Sequence, residues 1–471
     1  MRWARKPAIW LPALLASAAG AFTSTARGQA CESARPTDPA GAAGVSYGAA
    51  KVSFLDSASG RARVHYALSG THAPPPAATM QTGVPDAVVV AAQAADDALA
   101  KYEELAYLPP VSDANSPCSS NGDSDAVDIY LIHFSAADGQ AVSDHCEPGL
   151  PQRCSGFVLV ENDFKTGGYA DTAEGMRTVV PHELFHLVQN AYDAGVERWW
   201  AEGSAQWAAK QVYPELRDLE RFLPGYFNVP WRPLNVPPSG VITDFLYATA
   251  IWPVFLNERY DASIVREIYE GFGPDTLGVL PATDVVLTAR GSSLASEFLQ
   301  FAAYNAATST RAPDAGGYAN AAAYPLVPFK ALNGSEGDLV SDVASGLGAF
   351  YYSVTAAAPT QLSLDADPTR IAALWLPITG GKVQVANAEP LPTTASGEGV
   401  VVVAGQSLSK TDAPFTLKGA VPSADDVGPV SSGCAMAQNL GQNLGNSGAL
   451  LGFMVILLSR LRAWPRLRKV P

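Results

Sequence analysis

Apolar and polar positions alternate over Val52-Ser53-Phe54 and Arg63-Val64-His65-Tyr66, which predicts strands within residues 46–80, ahead of the break at Ala73-Pro74-Pro75-Pro76. From Asp86 to Leu105 the apolar positions recur at helical spacing, and Pro109-Pro110 follows the predicted end. Two β-rich runs come next, Val127 to Phe134 and Gly156 to Val160, with a cysteine-bearing loop between them. Helical patterns then dominate from Thr178 to about Thr308: a helix around His182, a second from about Trp199 to Val212, and others near Phe245 to Arg259, Ser263 to Phe272 and Leu294 to Ala307. After Pro325 the chain changes to short runs such as Ala349 to Val354, Gln361 to Leu364, Ala372 to Leu376 and Gly399 to Val403 with turn residues between, the pattern of an antiparallel β-sandwich.

These patterns predict an α+β chain: an N-terminal β segment over 31–80, a domain of small mixed sheet and helices over 81–325, a sandwich over 326–421 and a linker over 422–447. The two ends differ from the rest. Residues 1–30 carry Arg2, Arg5 and Lys6, an apolar run from Ala8 to Phe22 and then Gly28-Gln29-Ala30, the make-up of a signal peptide. Residues 448–471 hold an apolar run from Gly448 to Leu458, too short for a secure membrane span, followed by Arg460, Arg462, Arg466, Arg468 and Lys469. With Cys434 ahead of it, this end resembles the C-terminal sorting tails of myxobacterial surface proteins; a plain basic stop-transfer anchor is the other reading. Export and attachment to a membrane or cell surface are the expectation.

Setting both ends aside leaves 22 basic against 45 acidic residues, a balance that argues against a nucleic-acid partner. Cys118, Cys146 and Cys154 lie in a stretch rich in Pro, Gly, Ser and Asp, and Cys31 opens the chain after the signal-like segment, which suits an oxidising compartment. Cys146 with Cys154 is the preferred disulfide, leaving Cys31 and Cys118 as a second candidate pair.

The chemistry concentrates at His182-Glu183-Leu184-Phe185-His186. Histidines four apart share one helix face about a turn apart, as two ligands of one metal require, and Glu183 beside them can reach a water held by that metal as general base. Pro181 fits a first helical turn, with Thr178 as its N-cap. None of the six histidines comes after His186, so a downstream histidine ligand, and with it the metzincin pattern, is excluded. The chain continues instead through a turn near Ala194-Gly195, which lets a second helix return, into Trp199-Trp200-Ala201-Glu202-Gly203-Ser204-Ala205-Gln206-Trp207. Glu202 can complete a His, His, Glu zinc site with the fourth position left to water, while Gly203, Ser204 and Ala205 let the helices approach. The plainer reading of Glu202 is a carboxylate near a helix N-terminus, and Asp193 is the competing ligand.

These residues resemble the gluzincins, and more closely a family of predicted secreted bacterial metallopeptidases with HE-x-FH-x-x-Q followed by W-x-x-EG-x-A-x-W. The chain supplies His182, Glu183, Phe185, His186, Gln189, Trp199, Glu202, Gly203, Ala205 and Trp207 to that pattern, and the likeness runs from about Pro85 to Phe272. It implies a zincin-like domain with His182, His186 and Glu202 as zinc ligands, Glu183 as base and a protein or peptide substrate. Gluzincins commonly place a tyrosine or histidine on the oxyanion, and Tyr247 is the candidate here, a buried core tyrosine being the alternative. Asp113, Asn115, Asp123, Asp125 and Asp128 could surround calcium, or be soluble loop acids. The reading from another class is a surface binding protein in which the metal site is silent or structural.

Overall fold

Five strands build the first sheet: β1 (Val52–Asp56), β2 (Ala62–Ala67), β3 (Val127–Ile132), β4 (Gly139–Cys146) and β5 (Cys154–Glu161), in the order β1-β2-β3-β5-β4. In this computed structural model the described residues run from 35 to 420, apart from 39–44, 115–120, 135–136, 150, 167, 240–243, 274–277, 333–337, 356–359 and 409–410. The segment 1–30, Cys31, Cys118, Asn115, and everything from 421 on, with the linker, Cys434 and the basic tail, lie outside them. Among the described residues no helix is long and apolar enough to cross a membrane.

The sheet is mixed: β2, β3 and β5 are parallel, and β1 and β4 pair antiparallel at the two edges. Period-two alternation divides its side chains. Ile129, Leu131, Val158 and Val160 face the helices, while Tyr130, Ile132, Phe157 and Leu159 pack on the opposite face with Tyr47. Strand β4 falls where the sequence suggests only a loop. As an edge strand it carries mostly half-buried positions, so Gln140, Ser143 and His145 hide the alternation. Cys146 ends β4 and Cys154 begins β5, and the two form a disulfide.

Two helices pack on the sheet, α1 (Asp86–Glu104) and α2 (Thr172–Asn190), and α3 (Arg198–Val212) packs on both of them; together they place the site. Helix α2 starts well before the expected cap at Thr178. Asp171 is the N-cap, its carboxylate accepting the Glu174 amide at 2.8 Å, while Glu174 reaches back to the Ala170 amide. Thr178 is instead an interior residue whose hydroxyl donates to the Glu174 carbonyl. Pro181 therefore sits inside the helix, where the missing amide costs about 3 kcal/mol. Its surroundings offset this, since the Pro181 carbonyl accepts a 2.7 Å bond from Tyr102 of α1 and Leu184 and Phe185 are wholly buried.

Further helices continue the chain: α4 (Asp218–Phe222), α5 (Pro224–Phe227), α6 (Asp244–Ala248), α7 (Ile251–Arg259), α8 (Ser263–Glu270), α9 (Val279–Ala289) and α10 (Leu294–Ala306). The pattern read as one helix from Phe245 to Arg259 is two, broken at Thr249-Ala250. The C-terminal part holds β6 (Lys330–Leu332), β7 (Asp338–Ser345), β8 (Ala349–Thr355), β9 (Thr360–Ala366), β10 (Ile371–Thr379), β11 (Lys382–Val383), β12 (Glu389–Pro390), β13 (Thr394–Ala395), β14 (Glu398–Gly405) and β15 (Asp412–Ala420). They form two sheets, β11-β10-β14-β8-β6 with β12 on β10, and β13-β9-β15-β7, antiparallel except where β6 meets β8. Val401 and Val403 of β14 enter the core between the sheets. Val400 and Val402 join the core shared with α10, so the valine run is apolar because both of its faces are covered.

Candidate metal centre

Helix α2 presents His182, Glu183 and His186 on adjoining positions, and α3 returns across it to bring Glu202 opposite. Three donor atoms meet there. His182 Nε2 lies 3.2 Å from His186 Nε2 and 3.3 Å from Glu202 Oε2, and His186 Nε2 lies 3.6 Å from the same oxygen. Tetrahedral coordination with zinc–ligand distances of about 2.0–2.1 Å requires ligand-to-ligand edges of about 3.3–3.4 Å, so this triangle has the size of one small divalent cation's face. Among the described residues it is the group of His, Cys, Asp or Glu side chains that could hold a metal.

The tautomer of His186 is set by its neighbours. Gln189 Nε2 lies 2.8 Å from the Ala201 carbonyl, which can only accept, so the amide nitrogen faces that side and its oxygen faces His186 Nδ1 at 2.8 Å. His186 Nδ1 must then donate, which leaves the Nε2 lone pair on the triangle. Gln189 also donates to the Ser204 hydroxyl, which lies 2.7 Å from the Tyr269 hydroxyl, so α2, α3 and α8 are tied together behind the site. Burial opposes charge on Glu202, but bonds from His182 and His186 hold its carboxyl well below the usual range. Against the same burial penalty, Glu202 pushes His186 up to about 9. Proton and metal therefore compete for these nitrogens.

Glu183 is buried, and burial raises its carboxyl above the ordinary value against the pull of His182 and His186. Strand β4 closes over it. A Cβ on Gly139 would lie 2.8 Å from Glu183 Oε1, and the Ala141 amide donates to the carboxylate. Tyr247 is half-buried: its ring lies 5.7 Å from that of His182 and packs 4.7 Å from Phe222. Burial, then Glu202 and Glu183, raise the pKa of its hydroxyl, which is a donor at neutral pH. It lines cavities on both sides of the triangle, unlike a tyrosine enclosed in a core.

The remaining candidates part company with the site. Asp193 accepts the Gly195 amide at 2.9 Å and closes the turn after α2. Asp113 and Asp128 do not await calcium. With Asp144 they surround the guanidinium of Arg35, at 2.6 Å for Asp113 and 2.7 Å for Asp144, and His65 lies 2.7 Å from Asp128. Asp123 offers its carbonyl to Arg63 and its amide to Asn121, and Asp125 lines a cavity beside Arg61. Gly203 proves necessary for a contact other than that between α2 and α3, since a Cβ there would fall 2.5 Å from Thr249 Oγ1 at the α6–α7 break. Sequence reasoning missed Gly139 and Ala141, which belong to the unrecognised strand β4, and gave Gln189 no role. A cavity of about 630 Å³ beside Tyr102, Leu108 and Arg61 lies away from this chemistry.

No protein-family model matches the chain, and no curated protein matches it. Among solved structures it is similar to Legionella pneumophila aminopeptidase A, crystallised in complex with aspartic acid, at 15% identity and a TM-score of 0.35, over 78% of this chain and 37% of that one. The chain thus spans well under half the length of that protein, and a likeness at this level carries no argument about activity.

Proposed function

We propose that this chain is an exported zinc metallopeptidase of the gluzincin kind. The observation that carries the reading is the convergence of His182, His186 and Glu202 donors at zinc-like spacing with Glu183 buried beside them and outside the triangle. A zinc ion held by these three residues would supply Lewis acidity, polarising a carbonyl and easing deprotonation of water. Glu183 takes the proton of the attacking water and returns it to the leaving nitrogen. Tyr247 donates its hydroxyl to the oxygen on which charge develops.

Peptide is the substrate class that the walls favour. Among the described strands β4 pairs only with β5, and its Gly139, Gln140, Ala141 and Ser143 line the cleft beside Glu183 and His186, so an extended backbone can add to that edge. The signal-like N-terminus and the Cys146–Cys154 disulfide support export, and the tail supports attachment at a surface. The test is Glu183→Gln with metal content and peptide cleavage measured together. Zinc retained with cleavage lost is the expected result. Unchanged cleavage refutes the base, and zinc without turnover in the unaltered chain returns the protein to a silent binding role.

A further inference from the structure

The two cavities flanking the triangle are similar in size and differ in the charged groups they carry outside the proposed machinery. The one on the His186 side, about 270 Å³, has Arg198 as its charged group outside the proposed machinery. The one on the His182 side, about 290 Å³, has walls of Tyr169, Phe222 and Tyr247 and carries Asp138 and Asp218. Asp218 belongs to α4, has a side chain 13% exposed, and accepts a 2.7 Å bond from Gln206. Asp138 precedes β4 and accepts the Tyr169 hydroxyl at 3.1 Å. Arg221 stands at the mouth, half-exposed over the Phe222 ring, with Nη1 3.8 Å from Asp218. One screened arginine thus faces two carboxylates, and the cavity keeps a negative balance.

We infer that the His182-side cavity is a specificity pocket for a long basic side chain, lysine or arginine, with Asp218 and Asp138 as its specificity-determining residues; its place in cleavage rests on the peptidase reading. The alkyl stem lies against the aromatic walls and the cationic head reaches the carboxylates, the division of apolar stem and charged tip that these side chains have. A leucine in the same place would strip water from Asp218 and give nothing in return. A glutamate would add a further negative charge. Burial already raises the Asp218 carboxyl above its ordinary value, the cost that an incoming cation relieves.

The experiment separates the pocket from the chemistry. Capped alanine-rich peptides that differ only in one central residue, Lys, Leu or Glu, are titrated calorimetrically into the full chain carrying Glu183→Gln, and the same series is offered for cleavage to the chain with Glu183 intact. The lysine peptide is expected to bind about tenfold or more tightly than the leucine peptide, with glutamate weakest. Asp218→Asn removes about tenfold from lysine binding and leaves leucine within about twofold. Equal binding of Lys and Leu, or a preference for Glu, overturns the pocket from the unaltered peptide ranking alone, whatever Asp218→Asn does to folding. Binding with the basic preference but no cleavage refutes the peptidase reading and keeps the pocket; cleavage without the preference does the reverse.

Discussion

Replacing Arg35 with Met removes the one guanidinium around which Asp113, Asp128 and Asp144 are arranged. Arg35 is 1% exposed, its Nη2 holds Asp113 and Asp144 at 2.6 and 2.7 Å, and its Nη1 is bonded to Asp128. Methionine refills the volume but takes the guanidinium away from the buried carboxylates, which costs about 3–5 kcal/mol when one partner of a buried pair is lost. Burial already pushes Asp113 up to about 6, with Arg35 opposing. A folded carboxyl whose pKa stands above its unfolded value of 3.8 contributes stability below that value and loses the contribution as pH rises through about 6. Without Arg35 the Asp113 carboxyl is driven higher still, so acid should rescue the variant by protonating it. Urea unfolding of both chains at pH 8 and pH 5 measures this, the loss being several kcal/mol at the higher pH and clearly smaller at the lower. A loss below about 1 kcal/mol at pH 8, or the same loss at both, refutes the reasoning.

Gln189→Leu is expected to weaken zinc affinity about 10–100-fold in chelator competition, since His186 loses the acceptor that fixes its tautomer while the fold remains by circular dichroism. Gly203→Ala should cost about 1–3 kcal/mol in thermal unfolding, because the new methyl meets Thr249 and its backbone; a neutral result would mean that the α6–α7 break can shift. Tyr247→Phe should lower kcat on a peptide by about a hundredfold or more with KM little changed, and a change in KM alone would make the tyrosine a binding residue.

How far the sequence reveals these groups depends on where their partners lie. His182 and His186 are four apart on one helix, so their meeting is a consequence of helical geometry, and Glu202 needs only the reversal after Ala194-Gly195. The start of α2 is hidden because Pro181 reads as a first-turn residue, and only the tertiary bond from Tyr102 shows how an interior proline is accommodated. Strand β4 is hidden because an edge strand has no buried face to impose alternation. Arg35 stands 78, 93 and 109 residues from the three acids it binds, so no local pattern could mark it. Asp113 and Asp128 read as calcium ligands or soluble loop acids, whereas burial makes them, with Asp144, a single charged cluster.

That cluster and the candidate metal centre share strand β4. The register of β4 against β5 slips between Ser143 and His145, and the bulge turns Asp144 inward to Arg35. At the other end of the same strand Gly139 and Ala141 close on the Glu183 carboxylate. Asp128 fixes Arg35 to β3 as well, so the N-terminal segment clamps the two strands on either side of β5. Residues 52–67 add β1 and β2 to this sheet, with Val64 and Tyr66 in its core. The N-terminal segment is thus built into the sheet that supports the proposed base: Arg35 binds β4 through the charge of Asp144, and β2 pairs with β3 through hydrogen bonds, on the other side of β5.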